Sequence, residues 1–242
     1  AITAVTVQNT LGVRAVHAIP PEIVCGQIEA VMEDLQPVAV KIGMVNDIQI
    51  VHVIADCIRK YSPEHIIYDP VMVSTSGRRK LMTDEAIEEI KKKLLPLVTL
   101  VTPNIDEAKV LTGKSIQNTQ DMLEAAKQLS DSYQTHILIK GGHLEGDQMC
   151  DLLYSPDHTY YIYEEKKIES KNLHGTGCTL SSAIASYLAK GYSMKDSICH
   201  AKEYITHAII AGKNLNIGHG NGPLWHFPDS IAQMCTFCAV VS

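Results

Sequence analysis

Residues Asn172-Leu173-His174-Gly175-Thr176-Gly177-Cys178-Thr179-Leu180-Ser181 read as a glycine turn that opens directly into a helix. Leu180, Ile184, Tyr187 and Leu188 recur at helical spacing behind the turn. The first turn of a helix carries unpaired N–H groups and the positive end of the dipole. Two glycines let that backbone come close to a ligand, so the segment is suited to a phosphate or another anion. Cys178 stands at the same point, where a helix N-terminus is expected to bias a thiol toward thiolate. The plainer alternative is a tight turn beside a packed cysteine.

Working outward, strands and helices alternate. Ala1–Val7 reads as an interior strand, Val38–Ile42, His65–Tyr68, Val98–Thr102 and His136–Lys140 as further strands, and Cys150–Tyr154 with Tyr160–Tyr163 as a strand pair. Pro20 and Pro21 open a helix, Ile54 and Ile58 mark another, and Thr83 caps a third with Lys91, Lys92 and Lys93 in its last turn. Helices are also expected near Met122–Leu129, Thr179–Ala189 and Met194–Gly212. This order predicts an α/β fold: a mostly parallel central sheet with helices on both faces. Ligands of such sheets bind at the carboxyl ends of the strands. Asp69, Asn104, Glu107, Lys140 and His143 all lie just past strand ends, on the rim that the Gly175–Cys178 turn would join. Phosphoryl transfer requires such a set: carboxylates for a metal, positive charge, N–H donors and a base.

The chain has 242 residues and a net charge of −6, from 21 basic and 27 acidic side chains. No basic footprint points to nucleic acid. No apolar run has the length of a membrane span and no signal peptide is evident, so the expected compartment is the cytoplasm. Seven scattered cysteines suggest reduced thiols rather than a disulfide framework. Gly113-Lys114-Ser115 imitates the end of a P-loop, but Ala108 stands where the pattern needs glycine. Cys235-Thr236-Phe237-Cys238 lacks a second ligand pair at zinc spacing.

A set of motifs occurs in one order: Gln8-Asn9-Thr10-Leu11-Gly12-Val13, Lys41-Ile42-Gly43-Met44, Asp69-Pro70-Val71-Met72, Thr102-Pro103-Asn104 with Glu107, Lys140-Gly141-Gly142-His143, the His174–Ser181 turn and Gly218-x-Gly220-x-Gly222-Pro223. From Ala1 to about Phe227 the chain resembles the hydroxymethylpyrimidine and phosphomethylpyrimidine kinases of thiamine biosynthesis, which are ribokinase-like. Cysteine at 178, where most ribokinase-like sugar kinases carry aspartate, fits the vitamin-precursor kinases. The resemblance implies ATP- and magnesium-dependent phosphorylation of 4-amino-5-hydroxymethyl-2-methylpyrimidine and then of its monophosphate. Pyridoxal kinase of the cysteine-bearing type is the alternative. A binding-only relative, or acyl transfer through Cys178, would be different readings of the same turn.

The roles implied are these. Cys178 activates the acceptor hydroxyl, and Gly175, Thr176 and Gly177 form the anion hole. Asp69, Asn104 and Glu107 serve the metal. Lys140, Thr176 and Lys202 serve the nucleotide, and Gln8, Met44 and Val71 contact the pyrimidine. A homodimer is the expected assembly. Residues 1–227 are expected to form a single domain, without the opening strand and Ser-Gly-Gly-Ala-Gly-type segment that the family carries ahead of this point. Residues 228–242 then form a tail with no assigned role.

Overall fold

The computed structural model describes residues 1–45, 47–72, 82–142 and 148–227, with Gln148 as backbone alone. His143, the Cys235–Cys238 pair and the tail 228–242 lie outside the described residues.

The first element is a hairpin of β1 (Ala4–Asn9) and β2 (Gly12–Ala18). Asn9 Oδ1 accepts the Leu11 N–H at 3.0 Å, and Gly12 follows at φ 140°, a backbone state that side chains disfavour. This corrects the expectation of an interior strand at Ala1–Val7. Among the described residues β1 pairs with β2 alone, and Val5 and Val7 are 51% and 56% exposed. The cause is local: the turn at Thr10-Leu11 folds the next segment straight back onto β1, forming a separate two-stranded sheet.

The main sheet has strand order β3-β4-β5-β6-β7-β8. β3 (Ala39–Ile42), β4 (His65–Tyr68), β5 (Leu100–Val101) and β6 (His136–Lys140) are parallel. β7 (Gln148–Tyr154) and β8 (Tyr160–Lys166) add antiparallel strands at one edge. The helices are α1 (Pro21–Asp34), α2 (Ile48–Tyr61), α3 (Asp84–Glu89), α4 (Ile105–Thr112), α5 (Thr119–Tyr133), α6 (Thr176–Ala189) and α7 (Met194–Gly212). Thr83 caps α3 as expected, but Lys91–Lys93 fall in a π-helical turn over Ile90–Leu94.

Strand residues alternate between two cores. Ile66, Tyr68, Val101, Ile137, Ile139, Leu152 and Tyr154 pack against the α1–α5 side. Ile67, Leu100, Leu138, Leu153 and Tyr163 pack against α6 and α7. Side chains at alternate positions past those strand ends therefore face α6, which lies across β3 and β4. Among the described cysteines, Cys25, Cys57, Cys150 and Cys178 are free thiols, in keeping with the absence of a disulfide framework among them.

Candidate active site

The rim is organised around Asp69, the residue after β4. Its alternation with Ile67 points it at α6, and it is 2% exposed. Lys140 at the end of β6 and Lys41 on β3 share that face by the same parity. Lys140 Nζ donates to Asp69 Oδ1 at 2.9 Å, and Lys41 Nζ lies 3.8 Å from Oδ2. The Thr102 hydroxyl is 3.3 Å from Oδ1 and the Ser181 hydroxyl 3.3 Å from Oδ2. Burial alone would raise the Asp69 pKa, but Lys140 and Lys41 hold it below the usual carboxylate value. Burial would likewise strip the Lys140 proton, and Asp69 and Glu107 outweigh it and raise the Lys140 pKa. The pair is therefore fully charged at neutral pH.

The N-terminus of α6 stands directly over this pair. Gly175 is its N-cap at φ 88°, and no side chain caps the exposed N–H groups. A Cβ on Gly177 would lie 3.3 Å from Lys140 Nζ and 3.8 Å from Asp69 Oδ2, so the missing side chain lets helix and ion pair meet. Thr176 turns its hydroxyl back to the Leu173 carbonyl at 3.1 Å. Ser181 Oγ, 3.0 and 3.1 Å from the Gly177 and Cys178 carbonyls, joins that first turn to Asp69.

Cys178 is exposed as a residue, while its sulfur is partly desolvated beside Lys41, Asp69 and Lys140. Desolvation raises its pKa; Lys41 and Lys140 pull down, and Asp69 pushes further up and accepts from the thiol. This corrects the expectation of a thiolate bias: the resting group is a thiol, because desolvation of the sulfur, with Asp69 beside it, raises the pKa more than Lys41 and Lys140 lower it.

Asn104 and Glu107 form a reciprocal cap at the start of α4. Asn104 Oδ1 accepts the Glu107 N–H at 2.9 Å, and Glu107 Oε2 accepts the Asn104 N–H at 2.8 Å. The cap engages the Asn104 side-chain oxygen, expected to serve a metal, in one hydrogen bond and leaves it a second lone pair. Burial raises the Glu107 pKa to about 7, with Asp69 adding and Lys140 and the Asn104 N–H opposing. The buried Tyr68 hydroxyl, near both carboxylates, has no hydrogen-bond partner among the described residues.

A prediction follows from the Glu107 shift. The folded pKa lies above the ordinary value of 4.5, so the native state holds the proton more tightly and stability falls as pH rises from 4.5 to about 7. At about 1.4 kcal/mol per pH unit the cost approaches roughly 3 kcal/mol. Glu107→Gln keeps both cap hydrogen bonds without the charge. Its Tm relative to the native chain should rise between pH 5 and pH 8; a constant difference would show that Glu107 ionises normally.

Lys202, expected on the nucleotide side, is 4% exposed on α7. It binds Asp151 Oδ2 at 2.6 Å and lies 3.5 Å from Glu165 Oε2. Asp151 Oδ1 accepts the Gly141 N–H at 2.9 Å, so Lys202 reaches the rim through one intermediary. Gln8 lies on the hairpin, 3.2 Å from the His174 ring. The Met44 carbonyl accepts from Thr3 Oγ1 at 2.8 Å, and Val71 is half-buried two residues past Asp69. Lys41, Ser181, Thr102 and His174 were missed as site members. Lys41 had a signal, being a charge inside an apolar strand.

Among the described residues no group of three His, Cys, Asp or Glu side chains could hold a metal ion, and no helix is long and apolar enough to cross a membrane. The family model described as phosphomethylpyrimidine kinase matches residues 1–225. A hydroxymethylpyrimidine/phosphomethylpyrimidine kinase from Rhizobium meliloti is 44% identical over 227 residues, 93% of this chain and 84% of that protein. The crystal structure of a phosphomethylpyrimidine kinase from Clostridium difficile is similar at 43% identity and a TM-score of 0.76, covering 86% of this chain and 84% of that one. An ADP complex of Bacillus subtilis pyridoxal kinase superposes with a TM-score of 0.84 at 30% identity, covering 94% of this chain and 85% of that one.

Proposed function

This chain belongs to the phosphomethylpyrimidine kinase family, and from that premise we propose which of its residues carry the reaction. It is a ribokinase-like phosphotransferase of thiamine biosynthesis, acting on hydroxymethylpyrimidine and its monophosphate with ATP as donor. One observation supports the site assignment above the others: the charged Asp69–Lys140–Lys41 cluster meets an uncapped helix N-terminus that carries a thiol.

The N–H groups of Gly175, Thr176 and Gly177 receive the phosphate being transferred, with Thr176 N–H shared with the Leu173 carbonyl 3.3 Å away. Lys140, held charged by Asp69, sits beside Gly177 and neutralises the nucleotide's terminal phosphates. Cys178 acts in its thiolate form, its own proton having been lost to solvent, and takes the proton of the acceptor hydroxyl as that oxygen attacks phosphorus and the bond from phosphorus to the leaving ADP oxygen breaks. One anion hole then serves both steps, because the same phosphoryl group moves whether the acceptor is an alcohol or a phosphate. Gln8, Met44 and Val71, on the hairpin and the β3 and β4 ends, border the pyrimidine. Lys202 acts at one remove, fixing Gly141 and with it the end of β6.

Magnesium fits this donor set as an ion carried by the nucleotide rather than caged by the protein. Asp69 and Glu107 are hard oxygen donors at the rim, and one or two carboxylates plus phosphate suffice for magnesium. When bound, it would be held by Asp69 and Glu107 together with the nucleotide and would supply positive charge against the charge developing on the phosphoryl group. Residues 1–227 are taken as one catalytic unit, a homodimer as its assembly and the cytoplasm as its compartment. The exposed apolar side chains of Val5 and Val7 on the hairpin support the dimer.

ADP release with three acceptors tests the reading: the aminopyrimidine alcohol, its monophosphate and pyridoxal. Turnover is expected with the first two. Turnover of pyridoxal alone would overturn the assignment in favour of vitamin B6 salvage.

A further inference from the structure

We propose that His174 is a specificity-determining residue, one that fixes the Gln8 carboxamide so that it reads an aminopyrimidine edge. The inference rests on the pyrimidine reading above and goes beyond it by naming the group that sets the recognition pattern.

Two features aim Gln8. A β-bulge falls between Val7 and Gln8, and bulges beside functional sites redirect a side chain. The Gln8 Nε2 atom then lies 3.2 Å from His174 Nε2. An amide nitrogen only donates, so His174 Nε2 accepts, and the neutral ring carries its proton on Nδ1.

Both partners are held by one loop. Gly220 N–H donates to Thr10 Oγ1 at 3.2 Å and Asn221 N–H to the Thr10 carbonyl at 3.0 Å, two residues from Gln8. His174 N–H donates to the Gly222 carbonyl at 3.1 Å, and His174 forms a parallel bridge with Pro223. The glycines permit this approach: a Cβ on Gly220 would fall 2.0 Å from the Thr10 carbonyl oxygen, and one on Gly222 2.0 Å from Asn172 Oδ1. The Gly218–Pro223 segment thus clamps the hairpin turn to the strand-like backbone ahead of the anion hole.

The consequence is chemical. A primary amide offers one N–H on the side away from its oxygen and, on the opposite edge, an oxygen beside the other N–H. With the first N–H given to His174, the second edge is left as an acceptor next to a donor. That edge matches an exocyclic amino group next to a ring nitrogen, as glutamine matches adenine. A flipped carboxamide would put its oxygen toward His174 and require the Nε2–H tautomer there, so the tautomer reports which way the amide faces. His174 therefore selects an amino over an oxo substituent at the pyrimidine carbon next to the hydroxymethyl group.

The test compares kcat/KM for the aminopyrimidine alcohol and for its 4-oxo counterpart in the native chain and in His174→Phe. The amino-over-oxo preference should fall about tenfold, carried by KM of the amino acceptor. His174→Gln, whose amide oxygen can accept, should recover most of it. In the Gln8→Ala background His174→Phe should have no further effect on the preference. An unchanged preference in a folded His174→Phe protein, or full additivity with Gln8→Ala, would overturn the proposal. ¹⁵N NMR of the native chain, with His174 assigned by its loss in the variant, should show the Nδ1–H tautomer. An Nε2–H tautomer would also overturn it. Absence of turnover of the amino acceptor by the native chain would sink the pyrimidine reading instead, and the tautomer would still judge the His174–Gln8 pair.

Discussion

Cys178→Ala is expected to lower kcat by about 10²–10⁴-fold, the range of a general base, with little change in Tm. The small effect on stability follows from exposure: the residue buries little apolar surface. The large effect on rate follows from position, since its thiol stands at the helix N-terminus beside Asp69 and Lys41. The charge state adds a second readout. Burial and Asp69 raise the thiol pKa above its ordinary 9.0, so the thiolate fraction, and kcat with it, should still be climbing at pH 9. Cys178→Ser keeps roughly the size of the group but leaves a hydroxyl that stays un-ionised across the working pH range, and should be slow with a displaced profile. Near-native turnover in a folded Cys178→Ala protein would remove Cys178 from the chemistry.

The sheet was legible because its strands announce themselves twice. His65–Tyr68 and His136–Lys140 are apolar runs, and each ends in a polar residue followed by proline or glycine. Parity then carries the reading further than the motifs did. Ile67 and Leu138 face α6, so Asp69 and Lys140 must as well, and Lys41 follows from Ala39 on β3. Nothing local shows how near those ends come: the 2.9 Å Lys140–Asp69 contact joins residues 71 positions apart. The thiol's charge state was misread for the same reason, since a helix terminus is visible in sequence, whereas the desolvation of the sulfur at the rim and the carboxylate brought there from another strand are not. Ala1–Val7 failed differently. Alternating apolar residues describe a strand but not its partner, and the two-residue turn at Thr10-Leu11 decided the partner.

Lys202→Met should cost about 3–5 kcal/mol, the penalty for leaving one member of a buried ion pair uncompensated. That corresponds to a fall in Tm of roughly 6–20 °C for a chain of this size. The charge that remains is Asp151, tied to the Gly141 N–H and closed off from water. The sign with pH is fixed as well. Burial disfavours the charged amine, but Asp151 and Glu165 prevail and raise its pKa above 10.5. Stability from such a raised group is complete below its unfolded pKa and is lost only as pH climbs through the folded one. The deficit of the variant should therefore be equal at pH 6 and pH 9. Adding Asp151→Asn removes the stranded charge while its amide oxygen can still accept from Gly141, so the double variant should regain much of the stability. KM for ATP separates the two possible roles. If Lys202 acts by fixing Gly141, the single variant raises KM and the double variant restores it in step with Tm. If Lys202 touched the nucleotide itself, KM would stay high in the double variant although Tm recovered, and the positioning role would be wrong.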